Sequence, residues 1–241
     1  MDFAPDSPAD HQIVYPQALF DYVYHFVGQK GMAWDVATGG GKVARRLSTV
    51  FEEVLASDIN PRLLESAPAL SNVQYVQSDS QQIPLKAQKV DLVTVGQGLH
   101  WLPTEAFYEE VRRVTVPGGV VAVWGFLLPK VSMEFDRLVH RLYAETLSPY
   151  WPPETIYLQQ RYEQLNFPFK NVKETTIDAD YYWSYADWVA YLESWTAVRA
   201  YWQDHGCSPL DALEPLFRRL WGDRDARKVT FSFFVKLGLV L

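Results

Sequence analysis

The sequence predicts an α/β fold built on a mostly parallel β-sheet, and two observations support this. Between Tyr15 and Phe126, short apolar stretches alternate with amphipathic ones, the pattern of strands separated by helices. Asp35, Asp58 and Asp79 each stand at or just beyond the end of one apolar stretch. Because parallel strands end at the same edge of a sheet, where ligands bind in such folds, we expect these carboxylates to form one site.

Five strands are predicted in this first half, at residues 32–36, 54–57, 73–77, 90–95 and 120–126. Helices are predicted at residues 19–27, 43–50, 61–66 and 104–114. The strands are apolar on both sides, so helices should cover both faces of the sheet, as in doubly wound folds.

The second half of the chain is rich in tyrosine and tryptophan from about residue 127 onward. Helices are predicted at 136–165, 185–204 and 209–221, and strands at 172–177 and 229–237. These two strands should pair at one edge of a seven-stranded sheet, with an antiparallel strand there and an aromatic-rich helical cap. We therefore expect a single domain over 1–241, with a ligand-binding core at about 15–126, cap elements and edge strand at about 127–228, and a final strand at 229–241.

Composition narrows the classes of function. At 241 residues, 48% hydrophobic and 21% charged, the chain has the composition of a globular domain. Its formal charge of −7 argues against nonspecific nucleic-acid binding. A single cysteine, Cys207, excludes an internal disulfide and a cysteine-type zinc site, and we expect no metal. Residues 1–11 do not resemble a signal peptide and the near-apolar run 118–129 is too short to span a bilayer, so we expect a cytoplasmic protein that binds no membrane.

The most informative stretch is 33–41, where an apolar strand ends at Asp35 and is followed by Gly39, Gly40 and Gly41. Glycine turns ahead of a helix commonly bind phosphate. A carboxylate in that space would repel a pyrophosphate but would suit a cationic ligand such as S-adenosylmethionine, which has an ammonium, a sulfonium and no phosphate. The spacing Gly39-x-Gly41-x-x-Ala44 also fits a dinucleotide fingerprint, which leaves an NAD-dependent oxidoreductase as an alternative.

The acids at the next two strand ends have functional and structural interpretations. Asp58 is placed to accept hydrogen bonds from both ribose hydroxyls, or it caps a helix before Asn60 and Pro61. Asp79 is placed to accept a hydrogen bond from the adenine amine, or it is a turn residue. Together with Asp35, these residues suit an adenosine flanked by a cationic amino acid.

Residues 32–126 resemble the class I S-adenosylmethionine-dependent methyltransferases, which have a Rossmann-like fold. The resemblance lies in residues 35–41, Ser57-Asp58, Ser78-Asp79-Ser80, residues 90–93 and Pro117-Gly118-Gly119. Tyr15-Pro16, His100-Trp101 and residues 194–198 are similar to the branch that contains trans-aconitate methyltransferases.

The resemblance implies a role for each matching residue. Asp35 would hold the methionine ammonium, Gly39 and Gly41 would pass under the methionine, and Gln97 would lie near it. Asp58 would bind the ribose, Asp79 the adenine amine, and the Ser80 backbone N–H the adenine ring. One residue departs from the family pattern, because Ala37 stands where glycine is usual. If that position needs a positive φ, alanine carries strain of roughly 1 kcal/mol or more.

The methyl acceptor is less well indicated. His100 is a candidate general base, or it packs against Trp101 and hydrogen-bonds the backbone. Trp101 and Trp124 could wall the methyl group or belong to the core. Tyr15 and Trp195 are candidates for substrate contact. Arg199 would meet a polycarboxylate, or it lies on a helix surface.

The expected activity is in-line methyl transfer to a small-molecule acceptor, such as a carboxylate or another oxygen nucleophile. A catalytically inactive cofactor-binding or interaction protein is the alternative. The sequence leaves a monomer and a homodimer open.

Overall fold

The protein is described here by a computed structural model, which covers residues 13–241. The prediction about a signal peptide falls on residues 1–12, outside the described range. Within 13–241, every helix is too short or too polar to cross a bilayer.

A seven-stranded sheet forms the centre of the fold. Its strands are β1 (Met32–Val36), β2 (Glu53–Asp58), β3 (Val73–Gln77), β4 (Val90–Gly96), β5 (Thr115–Phe126), β6 (Lys170–Trp183) and β7 (Arg227–Leu239). Their order is β3-β2-β1-β4-β5-β7-β6. β7 runs antiparallel to both β5 and β6, while β1 to β5 pair in parallel. The mostly parallel, seven-stranded α/β fold is therefore confirmed, and the antiparallel β7 lies next to the edge strand β6.

Nine α-helices are described in residues 13–241. They are α1 (Gln17–Tyr24), α2 (Lys42–Leu47), α3 (Pro61–Glu65), α4 (Thr104–Val114), α5 (Met133–Arg141), α6 (Thr155–Gln159), α7 (Tyr185–Glu193), α8 (Thr196–His205) and α9 (Glu214–Trp221). Short 3-10 turns at Leu99–Trp101 and Ser148–Tyr150 and a π-turn at Leu142–Thr146 complete the helical elements.

The helical prediction for 185–204 is wrong in one respect, because two helices occupy it. α7 begins with a capping box in which the side chains of Ser184 and Asp187 each accept a hydrogen bond from the other's backbone N–H. Trp195 then has extended backbone (ψ 130°), which ends the helical run before α8. Its side chain is buried against Trp151 and Tyr143, so tertiary packing overrides local helix propensity.

Other element ends also differ from the predictions. The helix predicted at 209–221 begins at Glu214, because Pro215 favours the first helical turn. β5 begins at Thr115, five residues before the strand predicted at 120–126, and includes Pro117 and Gly118. The register between β4 and β5 shifts there, and Gly118 has φ 80°, so these residues form an irregularity inside the strand.

Two apolar layers cover the sheet, one on each face. One contains Leu19, Trp124, Trp188 and Phe231 and joins residues from both halves of the chain. The other contains Trp34, Phe107 and Tyr162. The C-terminal helices enclose the predicted aromatic cluster, where the rings of Phe135, Trp188, Phe217 and Trp221 pack together.

Candidate functional site

A cavity of about 260 Å³ lies where the strand order reverses, between β1 and β4. In doubly wound sheets this switch point is the usual ligand site. The glycine turn between β1 and α2 forms one wall, the end of β4 forms another, and Tyr15 and Phe126 close a third side. Among the predicted site residues, the cavity is lined by Tyr15, Asp35, Ala37, Gly39 and Gln97.

Asp35 provides a buried carboxylate at this cavity. Thr38 Oγ1 donates a hydrogen bond to its Oδ2 at 2.5 Å, and Thr94 Oγ1 donates to its Oδ1 at 2.8 Å. The side chain is 1% exposed, and burial raises the pKa of Asp35 from its ordinary value to about 7. A cation near this carboxylate would stabilise its ionised form, so Asp35 suits a positively charged group of a ligand, while Lys42 also lines the cavity.

The two threonines that hold Asp35 were missed by the sequence analysis. Thr38 follows Asp35 by three residues in the turn. Thr94 is its direct neighbour across the β1–β4 pair. The only local signal for these partners in the sequence was a hydroxyl residue, Thr38, in the turn that follows the acidic end of β1.

The glycine turn has left-handed backbone at three positions, Ala37 (φ 53°), Gly39 (φ 54°) and Gly41 (φ 77°). Glycine is required at position 41 because its φ is positive and because a Cβ there would lie 2.6 Å from Tyr75 Oη. Gly39 faces open space, which leaves its backbone accessible to a ligand. Ala37 does adopt the positive φ that glycine tolerates, and its backbone is therefore strained.

Asp58 ties the glycine turn to the end of β2. Its Oδ2 accepts a hydrogen bond from the Gly39 N–H, and its Oδ1 accepts one from the Asn60 N–H, both at 2.9 Å. The residue that caps α3 is Asn60, whose side chain accepts from the Arg62 N–H. Each Asp58 oxygen keeps a further lone pair for a ligand hydroxyl.

Asp79 and Ser80 lie beyond β3, next to the end of β2 where Asp58 pairs with Gln77. Asp79 is exposed, and its Oδ1 accepts hydrogen bonds from the N–H groups of Gln81 and Gln82 at 2.9 and 3.1 Å. Ser80 is buried, and its Oγ has no hydrogen-bond partner within residues 13–241. The pair lies outside the 260 Å³ cavity, on its β3 side.

Gln97 follows the end of β4 with a left-handed backbone (φ 59°). Its N–H donates a hydrogen bond to the Trp124 carbonyl oxygen at 2.8 Å. The side-chain Oε1 is buried and has no hydrogen-bond partner in the described part of the chain. Gln97 also lines the cavity, and a ligand N–H that reached this oxygen would remove the free-energy cost of leaving the acceptor unsatisfied.

Comparison with known proteins agrees with this geometry. A family model described as "Methyltransferase domain" matches residues 34–123. A Dictyostelium discoideum protein named "Putative methyltransferase" is 31% identical over 180 residues, which cover 73% of this chain and 68% of that one. The chain belongs to the S-adenosylmethionine-dependent methyltransferases.

Further similarities support the same family over the whole chain. A solved structure from Anaeromyxobacter dehalogenans, described as a "Putative Type II Methyltransferase", superimposes with a TM-score of 0.86 at 29% identity, covering 100% of this chain and 99% of that one. The methyltransferase ptaI of Pestalotiopsis fici is 28% identical over 128 residues, 48% of this chain and 38% of that protein. The chain thus spans about two thirds of the Dictyostelium relative and a smaller part of the fungal one.

The cavity of this methyltransferase fits the methionine end of S-adenosylmethionine. The buried Asp35 carboxylate suits an ammonium, Gln97 Oε1 has no donor within residues 13–241, and the space beside the Gly39 Cα is open. The carboxylates of Asp58 and Asp79 continue along the ends of β2 and β3, where a nucleoside would extend.

The candidate base of the methyltransferase lies away from the cavity lining. His100 is buried, its ring is 4.6 Å from that of Trp101, and its Nδ1 lies 3.1 Å from Tyr162 Oη. Burial lowers the pKa of His100 to about 4, so the ring is neutral at neutral pH. The contact with Trp101 agrees with the structural alternative for His100, whereas the hydrogen bond in the described residues is to the Tyr162 side chain and not to a backbone group.

The remaining acceptor candidates are dispersed. Trp124 is fully buried behind Tyr15, with ring centroids 5.8 Å apart. Trp195 is buried in the cap and Arg199 is half-buried on α8. Neither of these two, nor Trp101, is among the residues that line the cavity within 13–241. Phe126 lines it and was missed, because its place at the end of β5 resembles an ordinary core position.

Proposed function

We propose that this methyltransferase transfers the methyl group of S-adenosylmethionine in line to a small-molecule acceptor. The observation that carries the proposal is that one cavity is lined by a buried carboxylate, Asp35, and by Gln97, whose Oε1 has no donor in the described part of the chain, beside an open glycine turn. An ammonium ligand would satisfy both groups.

The residues divide the binding task along the strand ends. Asp35 and Gln97 would bind the methionine ammonium, and the Gly39 backbone would pass beneath it. Asp58 would accept hydrogen bonds from the ribose hydroxyls while keeping the glycine turn in place. Asp79 would accept a hydrogen bond from the adenine amine, and the Ser80 N–H would donate to the ring.

When bound, S-adenosylmethionine supplies an electrophilic methyl group on a sulfonium. The chain's own contribution is to align the acceptor with that methyl and to exclude water. Tyr15 and Phe126 are placed for this, because both rings line the cavity near the ends of β4 and β5. The two rings would hold a small acceptor next to the methyl group of the cofactor.

The acceptor we favour reacts without first losing a proton to a histidine. His100 is directed toward Tyr162 and does not line the cavity within residues 13–241. A carboxylate, already ionised at neutral pH, meets this condition and is the first class to test. A narrower form of the proposal places this protein with the trans-aconitate methyltransferases. It requires Arg199, on α8, to approach the acceptor.

Isothermal titration with S-adenosylhomocysteine tests the cofactor site. We expect Asp58→Ala to weaken binding by about 1–3 kcal/mol, because bonded hydroxyls lose their acceptor. Asp180→Ala, at an exposed aspartate on β6, is the control and should leave affinity unchanged. Unaltered affinity in the Asp58 variant would assign that residue a purely structural role.

Turnover tests the acceptor class. S-adenosylhomocysteine release should be measured over a panel of small carboxylates, phenols and alcohols, with and without Arg199→Gln. Turnover with a carboxylate that falls in the Arg199 variant supports the branch assignment. Release with phenols alone would overturn the carboxylate preference, and turnover only on a macromolecule would overturn the small-molecule proposal.

A further inference from the structure

The segment that precedes α1 crosses the mouth of the cavity. Ile13 and Tyr15 both line the cavity, while Val14 between them is 57% exposed. The segment 13–15 is neither helix nor strand, and no ladder hydrogen bonds join it to the sheet within residues 13–241. Two kinds of contact connect it to side chains of the sheet.

One of these contacts is polar and spans most of the chain. Tyr181 Oη, on β6, donates a hydrogen bond of 2.5 Å to the Val14 carbonyl oxygen. The Tyr181 ring is itself fixed, since it packs edge-on against Phe231 with centroids 5.6 Å apart. Burial raises the pKa of Tyr181 to about 12, so its hydroxyl remains a donor under ordinary conditions.

A second set of contacts is between aromatic rings. Tyr15 packs edge-on against Trp124 at 5.8 Å and against Phe233 at 5.9 Å. These contacts act on one side chain of the segment. The Tyr181 hydrogen bond acts on the neighbouring backbone carbonyl, so the segment is held at a side chain and at its backbone.

We propose that Tyr181 is a positioning residue that latches the segment 13–15 over the cavity and so retains the bound cofactor. It touches neither the cavity nor the reacting atoms, and it acts through Val14. With the latch in place, Ile13 and Tyr15 wall off the methionine end. Without it, the segment opens more often, water enters and the ligand leaves faster. The ligand part of this proposal rests on the proposed function.

The test compares Tyr181→Phe with Tyr182→Phe. Tyr182 is the next residue on β6, faces the opposite side and is 74% exposed, so its hydroxyl provides a matched control. The loss of one hydrogen bond should speed amide exchange in the peptide covering 13–20 by about 3- to 10-fold in the free protein, and the control should not. S-adenosylhomocysteine should dissociate faster from the Tyr181 variant by a similar factor.

A measurement on the wild-type protein alone also tests the proposal. Because linkage is reciprocal, a ligand that needs the closed segment must also hold it closed. S-adenosylhomocysteine should therefore slow exchange in the 13–20 peptide. Thermal denaturation of both variants verifies that each is folded before exchange is measured.

The outcomes separate this proposal from the proposed function. Unchanged exchange in the Tyr181 variant overturns the latch, whatever the ligand does. Faster exchange with unchanged ligand dissociation overturns the role in cofactor retention. If the wild-type protein binds no S-adenosylhomocysteine, the proposed cofactor site fails, while the exchange comparison still decides whether Tyr181 holds the segment.

Discussion

Thr94 Oγ1 donates a hydrogen bond of 2.8 Å to Asp35 Oδ1 across the β1–β4 pair, where the two residues are direct neighbours. The contact lies at the point where the strand order reverses. Both side chains are 1% exposed. The sheet register thus places a hydroxyl donor beside the buried Asp35 carboxylate. This donor lowers the free-energy cost of burying the carboxylate, and it is in place before any ligand binds.

Removing this donor should destabilise the protein. Thr94→Val keeps the shape of the side chain but leaves Asp35 Oδ1 without its hydroxyl, which we expect to cost about 1–3 kcal/mol of unfolding free energy. Thr115→Val is the matched control, because that buried hydroxyl has no hydrogen-bond partner within residues 13–241 and its loss should be neutral. Urea unfolding at pH 8 measures both. Equal effects of the two substitutions would contradict the role given to Thr94.

Asp35→Asn should stabilise the free protein at high pH. The folded-state pKa of Asp35 is raised from 3.8 to about 7, so the folded protein binds more protons than the unfolded chain between these values. The stability that this carboxyl contributes is therefore complete below pH 4 and is lost as the pH rises through 7. We expect a gain on the order of 2–4 kcal/mol at pH 8, declining toward pH 4.

Urea unfolding of wild type and Asp35→Asn across this pH range checks the expectation. The asparagine can still accept a hydrogen bond from one threonine and donate one to the other hydroxyl. Binding of S-adenosylhomocysteine should be lost in the same variant. A stabilised protein that no longer binds would show that the charge is kept for the ligand, whereas a pH-independent difference would contradict the raised pKa.

Ligand affinity should depend on pH in wild type. A cationic ligand binds the ionised form of Asp35, so affinity should be greatest above the pKa of about 7 and should fall as the pH decreases. The limiting slope is about tenfold per pH unit for one linked proton. Calorimetric titration with S-adenosylhomocysteine between about pH 5.5 and 8 measures it. A flat profile would show that the ligand ammonium does not meet this carboxylate.

Ala37→Gly should stabilise the glycine turn. Ala37 has φ 53°, a left-handed conformation that costs an alanine about 1–2 kcal/mol, while glycine loses about 0.5–1 kcal/mol more entropy on folding. The net gain should be up to about 1 kcal/mol, measured as a shift in the urea midpoint. Ala44→Gly, at a fully buried position of helix α2, should instead destabilise by about 1 kcal/mol or more. Destabilisation by both substitutions would show that the Ala37 methyl group contributes packing that outweighs the strain.

Much of the fold and the cofactor side of the site could be predicted because their signals are local. Each apolar strand and the acid at its end occupy fewer than ten residues, and parallel pairing then brings Asp35 and Asp58 to one edge. The roles of individual oxygens could not be predicted. That Asp58 would accept the Gly39 N–H depends on a turn geometry that spacing does not specify.

Contacts between residues that lie far apart in the sequence could not be predicted from the sequence. Thr94 becomes the partner of Asp35 only through the register of two strands 59 residues apart. The direction of the His100 ring is set by Tyr162, 62 residues further along the chain. Trp195 interrupts a helix because of aromatic packing in the cap. These contacts are products of topology, and local propensity contains no information about them.

The last prediction concerns His100 and is independent of the others. Burial lowers its pKa from 6.5 to about 4, so the folded protein binds fewer protons than the unfolded chain between these values. The stability contributed by the neutral ring is complete above pH 6.5 and is lost as the pH falls through 4. His100→Gln should therefore cost about 1–3 kcal/mol at pH 8, through the lost Tyr162 contact, and less at pH 5.

Turnover at saturating substrate should fall only a few-fold in His100→Gln, compared with the 10²- to 10⁴-fold loss expected for a general base. His140→Gln, at an exposed histidine on α5, is the control for both measurements. A loss of turnover beyond a hundredfold with unchanged stability would instead place His100 in the chemistry. It would also show that the ring turns toward the cavity when substrate is bound, because the hydrogen bond to Tyr162 would then have to break.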